Sequence, residues 1–149
     1  MLNDIYNRKI LELAGNIPLL ERLDDPHGTA MRHARLCGSR VEVDVRLKDG
    51  AVVAYGQDVK ACALGQAAAS IMARHVIGSS RAELEALRDQ VRAMLKENGP
   101  PPGGKWRDIA ALEPVREIKA RHASTMLVFE AVCEAIANSE SQTKEADNE

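Results

Sequence analysis

Aromatic side chains are nearly absent from this 149-residue chain: Trp, Tyr and Phe together make up 3% of it. That removes the stacking platforms on which single-stranded nucleic acid is held. An excess of positive charge is missing too. Lys and Arg number 20 against 22 Asp and Glu, a formal net charge of −2, so there is no basic footprint for a phosphate backbone. No apolar run approaches the roughly 20 residues that cross a bilayer. The stretch Met1 to Lys9 lacks the basic-then-apolar layout of a signal peptide, and the expected setting is a reducing cytoplasm. Cysteine is scarce and odd in number: Cys37, Cys62 and Cys133. An odd count argues against a disulfide framework and leaves free thiols or metal ligands. The Gly99-Pro100-Pro101-Pro102-Gly103-Gly104 stretch lacks the Lys-Ser/Thr ending of a phosphate-gripping loop.

What is present is an ordinary globular balance, 45% hydrophobic and 28% charged, in a length that suits one domain with a real core. That domain is expected over residues 1–138, with a polar, frayed tail at 139–149. Residues 3 to about 23 carry Ile10, Leu13, Ala14 and Ile17 at helical spacing, with Asn3 or Asp4 as cap; Gly15 and Pro18 weaken the far end. A turn-rich linker follows at Leu23 to Gly28. Thr29 to Leu36 reads as a first strand. Arg40 to Leu47 is the clearest strand, with Val41, Val43, Val45 and Leu47 on one face and Glu42, Asp44 and Arg46 on the other. Asp49-Gly50 marks a type I′ hairpin, Ala51 to Tyr55 return along it, and Gly56 suggests a bulge or bend before Val59.

A helix is expected from Cys62 to about Val76, ended by Gly78. A second, capped at Ser79-Ser80, runs to Asn98-Gly99. After the Pro/Gly loop, Trp106, Ile109, Ala110 and Leu112 suggest a short helix. The last helix is placed from Pro114 to about Ala137.

The chemistry lies where strand turns into helix. Cys62 ends the alternating run and opens a small-residue helix, Lys60-Ala61-Cys62-Ala63-Leu64-Gly65-Gln66-Ala67-Ala68-Ala69-Ser70. Free N–H groups and the positive end of the dipole at a helix start favour a ready thiolate. The hairpin leaves from Cys37 and returns to Cys62 over similar lengths, so the two thiols should meet at one end of the sheet unless one of them turns into the core. Cys37 is read as a ligand or reactive thiol, or else as a turn cysteine.

In the order Leu36-Cys37-Gly38-Ser39, then Lys60 to Ser70, then Arg121-His122-Ala123-Ser124, the chain resembles the IscU/SufU/NifU iron–sulfur cluster assembly scaffolds. Segment 79–106 is similar to the insertion that marks the SufU branch. The resemblance implies an α+β fold, a three-stranded antiparallel sheet with helices packed on it. It also implies a site of three cysteines plus an Asp or His for zinc, iron or a nascent [2Fe–2S] cluster, and a cysteine desulfurase as partner. Monomer or weak homo-oligomer is expected, with no nucleic acid and no membrane. Two departures stand out. Ser39 occupies the family's Asp position, and Ala123 or Ser124, depending on register, takes the place of the third cysteine. Cys37, Cys62 and His122 remain as candidate ligands, with Ser39 and Ser124 poorer donors. Cys133 lies about three turns further along the last helix and is read as a core residue. A metal-free sulfur acceptor or interaction module stays open beside the scaffold reading. A Cys62–His122 thiol hydrolase is a distant third, since nothing supplies an oxyanion hole. His27, His33 and His75 are read as surface residues.

Overall fold

The computed structural model describes residues 7–147, and side chains as far as 141. The first helix, α1 (Arg8–Gly15), buries Ile10 and Leu13. Asn7 caps it, its Oδ1 accepting from Ile10 N at 3.0 Å. The alternative caps Asn3 and Asp4 lie outside the described residues. The helix stops at Gly15, well short of residue 23, as Gly15 and Pro18 foretold.

Three strands follow, β1 (Gly28–His33), β2 (Arg40–Lys48) and β3 (Ala51–Lys60), in an antiparallel sheet of order β1-β2-β3. Asp49 and Gly50 both take positive φ, 54° and 80°, as the type I′ turn demands. Val41, Val43 and Val45 are fully buried. The opposite face is not simply solvated. Asp44 is buried there and binds Arg22 through two bonds, of 2.6 and 2.9 Å, as well as Thr29 Oγ1 and Leu23 N. Its register partner is Gly56, where a Cβ would collide with the Glu21 carbonyl oxygen. The missing side chain lets segment 19–23 lie on the sheet, and Asp44 clamps it there. Gly56 is therefore a close-approach glycine. The register shift lies instead next to Val53, which falls between the Arg46–Ala54 and Leu47–Val52 pairs.

Helix α2 (Ala63–His75) is the buried centre, with Leu64, Gly65 and every residue from Ala67 to Ala73 buried. Helix α3 (Arg81–Lys96) is amphipathic and starts on Ser80, whose Oγ accepts from Glu83 N at 3.1 Å. Gly104–Glu117 then forms 3₁₀ turns. Trp106, Ile109, Leu112 and Val115 are buried at every third residue, the period of that helix type. This is why the last helix, α4 (His122–Asp147), does not begin at Pro114: residues 114–117 still follow the threefold period and Ile118 interrupts it. It also continues past Ala137 to Asp147, so the expected frayed tail at 139–149 is helical as far as it is described. Ser139 packs at Gly28, where a Cβ would meet the α4 backbone. Helix α4 covers β1 and β2 and touches both α2 and α3.

Candidate functional site

Cys62 is the N-cap residue of α2, in extended conformation, at the end of β3. Cys37 sits at the exposed tip of the turn between β1 and β2. Ala34 N donates to Ser39 O at 2.8 Å and Gly38 N to Ala34 O at 3.0 Å, which closes that turn. Gly38 at φ 70° completes it. The pairing of Arg40 with Lys60 puts both thiols at the same end of the sheet, as the hairpin lengths require.

Ser124 lies beside both. Its Oγ is 3.5 Å from Cys62 Sγ, and its side chain is among the groups that lower the Cys37 pKa. Cys37 Sγ donates to the buried Ser39 Oγ at 3.0 Å. When the thiol ionises, that hydroxyl reverses and donates to sulfur. The Ser39 side chain is the main reason the Cys37 thiol is held below its usual pKa, with help from the Ser39 backbone, Ser124 and the Arg121 charge. Gly65 makes the approach of Ser124 possible. A Cβ there would stand 2.8 Å from Ala61 Cβ and 3.1 Å from Ser124 O. The open register question is thereby answered: Ser124, buried, faces the thiols, while Ala123 is exposed.

His122 is not brought to this cluster. Its ring folds back on the 3₁₀ segment, Nε2 donating to Val115 O at 3.1 Å and Arg116 O at 3.2 Å. The side chain is buried and lines clefts beside Lys96 and Lys119. It sits on the first turn of α4 with its ring bonded to the 3₁₀ segment, so in this structure the expected third ligand does not join the two thiols. Among the described residues no three His, Cys, Asp or Glu side chains gather into a group that could hold a metal ion. Two thiols and two hydroxyls do not make up the four-ligand set of a resident zinc or cluster site.

Cys133 is buried in the core as expected, its thiol pushed up to about 11 chiefly by burial. Two of the histidines read as surface residues have partners. His27 Nδ1 accepts from Leu47 N at 2.9 Å, and His75 lies 3.6 Å from Asp108 and edge-on to Trp106. His33 is exposed. The serine–thiol contacts were missed as a working unit. Their signal was the serine placed two residues after Cys37 and the serine opposite Gly65.

No family model matches the chain. A solved structure does: the N-terminal part of a nitrogen-fixing NifU-like protein from Brucella abortus is 51% identical to it. The match covers 94% of this chain and 97% of that one, at a TM-score of 0.92. This chain belongs to the IscU/SufU/NifU-like family. The NifU-like fold is shared more widely. A protein of thermophilic Fervidobacterium islandicum AW-1, described as an iron–sulfur cluster assembly scaffold for the SUF system, superposes at a TM-score of 0.82. It is 16% identical, over 90% of this chain and 98% of that one, and shows the fold alone. A curated relative, the iron–sulfur cluster assembly scaffold protein IscU of Thermotoga maritima, is 24% identical over 135 residues, 89% of this chain and 92% of that protein. No helix among the described residues is long and apolar enough to cross a membrane.

Proposed function

We propose that this NifU-like chain serves iron–sulfur cluster assembly as a non-enzymatic scaffold whose first task is to accept sulfur on Cys37. The supporting observation is the pair of thiols at one end of the sheet, Cys62 beside the Ser124 hydroxyl and Cys37 exposed with Ser39 ready to donate to its thiolate. A cysteine desulfurase persulfide is the sulfur source that suits such an acceptor: the Cys37 thiolate attacks the outer sulfur, and the donor leaves as its thiolate. Leu36, 86% exposed beside Cys37, gives a partner an apolar foothold at the site. Iron, or a nascent [2Fe–2S] unit, is then cargo. Cys37 and Cys62 would supply two thiolates, and the remaining ligands must come from the partner, a second copy or a small thiol.

The test is desulfurase-driven sulfur loading of the reduced chain under anaerobic conditions, read by peptide mass spectrometry. One added sulfur atom is expected on Cys37, and none in Cys37→Ser. Iron and sulfide supplied without a partner are expected to give no stable visible chromophore. A chain that builds a stable cluster alone, or takes no sulfur on either thiol, defeats the proposal.

A further inference from the structure

Cys37 and Cys62 lie at one end of the sheet, each with a serine hydroxyl beside it, but differ in access. Cys37 stands at a turn tip, and the space around Gly38 is open: a Cβ there would meet nothing within 4 Å. Cys62 is half-buried at the start of α2, fixed by the helix and 3.5 Å from Ser124 Oγ. The Arg40–Lys60 pair sets the two thiol-bearing turns side by side at one sheet end, and Ser124 acts on both sulfurs. A disulfide asks for Cβ atoms about 3.5–4.5 Å apart, which a small movement of an exposed tip can supply. Ser39 and Ser124 complete the cluster, and neither hydroxyl competes with a thiolate as a nucleophile near neutral pH. A sulfur atom delivered to Cys37 therefore meets one further thiol, on the rigid side of the site.

We propose that Cys62 is a resolving thiol, which attacks Sγ of persulfidated Cys37 and expels the carried sulfur as sulfide. This rests on the acceptor reading above. The Cys62 sulfur forms a bond to Cys37 Sγ, and the Sγ–Sδ bond breaks with its electron pair on the outer sulfur. The proton from Cys62 leaves with it, so Cys37–S–SH and Cys62–SH become a Cys37–Cys62 disulfide and hydrogen sulfide. The sulfane sulfur is reduced by two electrons, and the two cysteine sulfurs are oxidised by the same two. A cellular dithiol resets the pair. The site thereby turns transferred sulfur into the oxidation state that a cluster contains, with its own second thiol as reductant.

The experiment loads the reduced full-length chain, without metal, with one equivalent of cysteine persulfide. It follows both the mass of the Cys37 and Cys62 peptides and the free sulfide. In the wild type, sulfide release is expected together with a Cys37–Cys62 cross-linked peptide. In Cys62→Ser the added sulfur should persist on Cys37, with sulfide release slowed about tenfold or more and restored by added dithiothreitol. Cys133→Ser should release sulfide like the wild type. Sulfur that loads on Cys37 but persists equally in wild type and Cys62→Ser overturns the resolving step alone. So does sulfur that moves to Cys62 without a cross-link. If no sulfur loads on Cys37 in either protein, the acceptor reading falls and the resolving step with it.

Discussion

Cys37 and Cys133 carry the same thiol in opposite surroundings. Cys37 stands at a turn tip, with a serine hydroxyl 3.0 Å away that holds its pKa down. Cys133 lies in α4 against the core, and burial pushes its thiol up to about 11. What separates an exposed, acidified cysteine from a packing one here is the supply of hydrogen-bonding groups, and at this end of the sheet those are the serines Ser39 and Ser124. Serine hydroxyls stabilise a charged sulfur without binding metal strongly.

The contrast can be tested most sharply by alkylation. At pH 8 about one Cys133 thiol in a thousand is ionised, and that one is shielded. Iodoacetamide should therefore label Cys37 at least about a hundredfold faster than Cys133 in the native chain, and the ratio should collapse in urea. Comparable native rates would mean that α4 opens readily.

Gly65→Ala strikes the approach of Ser124 to Cys62. A methyl group 2.8 Å from Ala61 Cβ and 3.1 Å from Ser124 O must push the starts of α2 and α4 apart. A loss of about 1–3 kcal/mol in urea unfolding is expected, with lower persulfide loading of the folded fraction. A variant as stable as the wild type would show that the approach is looser than described.

Cys133→Ala should cost about 1 kcal/mol near neutral pH, for a small core void. It should also flatten the alkaline limb of stability. A thiol whose folded pKa is raised contributes stability that is whole below the unfolded value of 9.0 and gone above about 11. An unchanged alkaline limb would assign that loss to other groups.

The smallest effect is expected from Ser39→Ala: the midpoint of Cys37 alkylation against pH should move up, with the fold intact. A midpoint that stays put would transfer the role to Ser124 and Arg121.

Much of this molecule can be read from its residues, for reasons that differ by element. The alternation from Val41 to Leu47 and the Asp49-Gly50 turn are local signals, and they place Cys37 and Cys62 together without further help. Asp44 also obeyed the alternation, but its partner Arg22 lies in an irregular segment with no periodicity, so its burial was hidden. Gly56 looked like a bend because a close approach by residues distant in sequence leaves no local mark. Ser124 and His122 stand two apart on one helical turn, and only the packing of α2 against α4 at Gly65 shows which of them faces the sulfur. The start of α4 was misplaced because Pro114 suits a first turn of either helix type.

The buried row Trp106, Ile109, Leu112 and Val115 has one more consequence. A segment with a period of three can lengthen or shorten without turning its apolar edge to water only in steps of three residues. One inserted residue would rotate everything after it by a third of a turn. It would bring Pro114 and Glu117 to the buried edge and misdirect the entry to α4. Natural length variation in this stretch should therefore be counted in triplets, and a deletion scan through it should read like a reading frame.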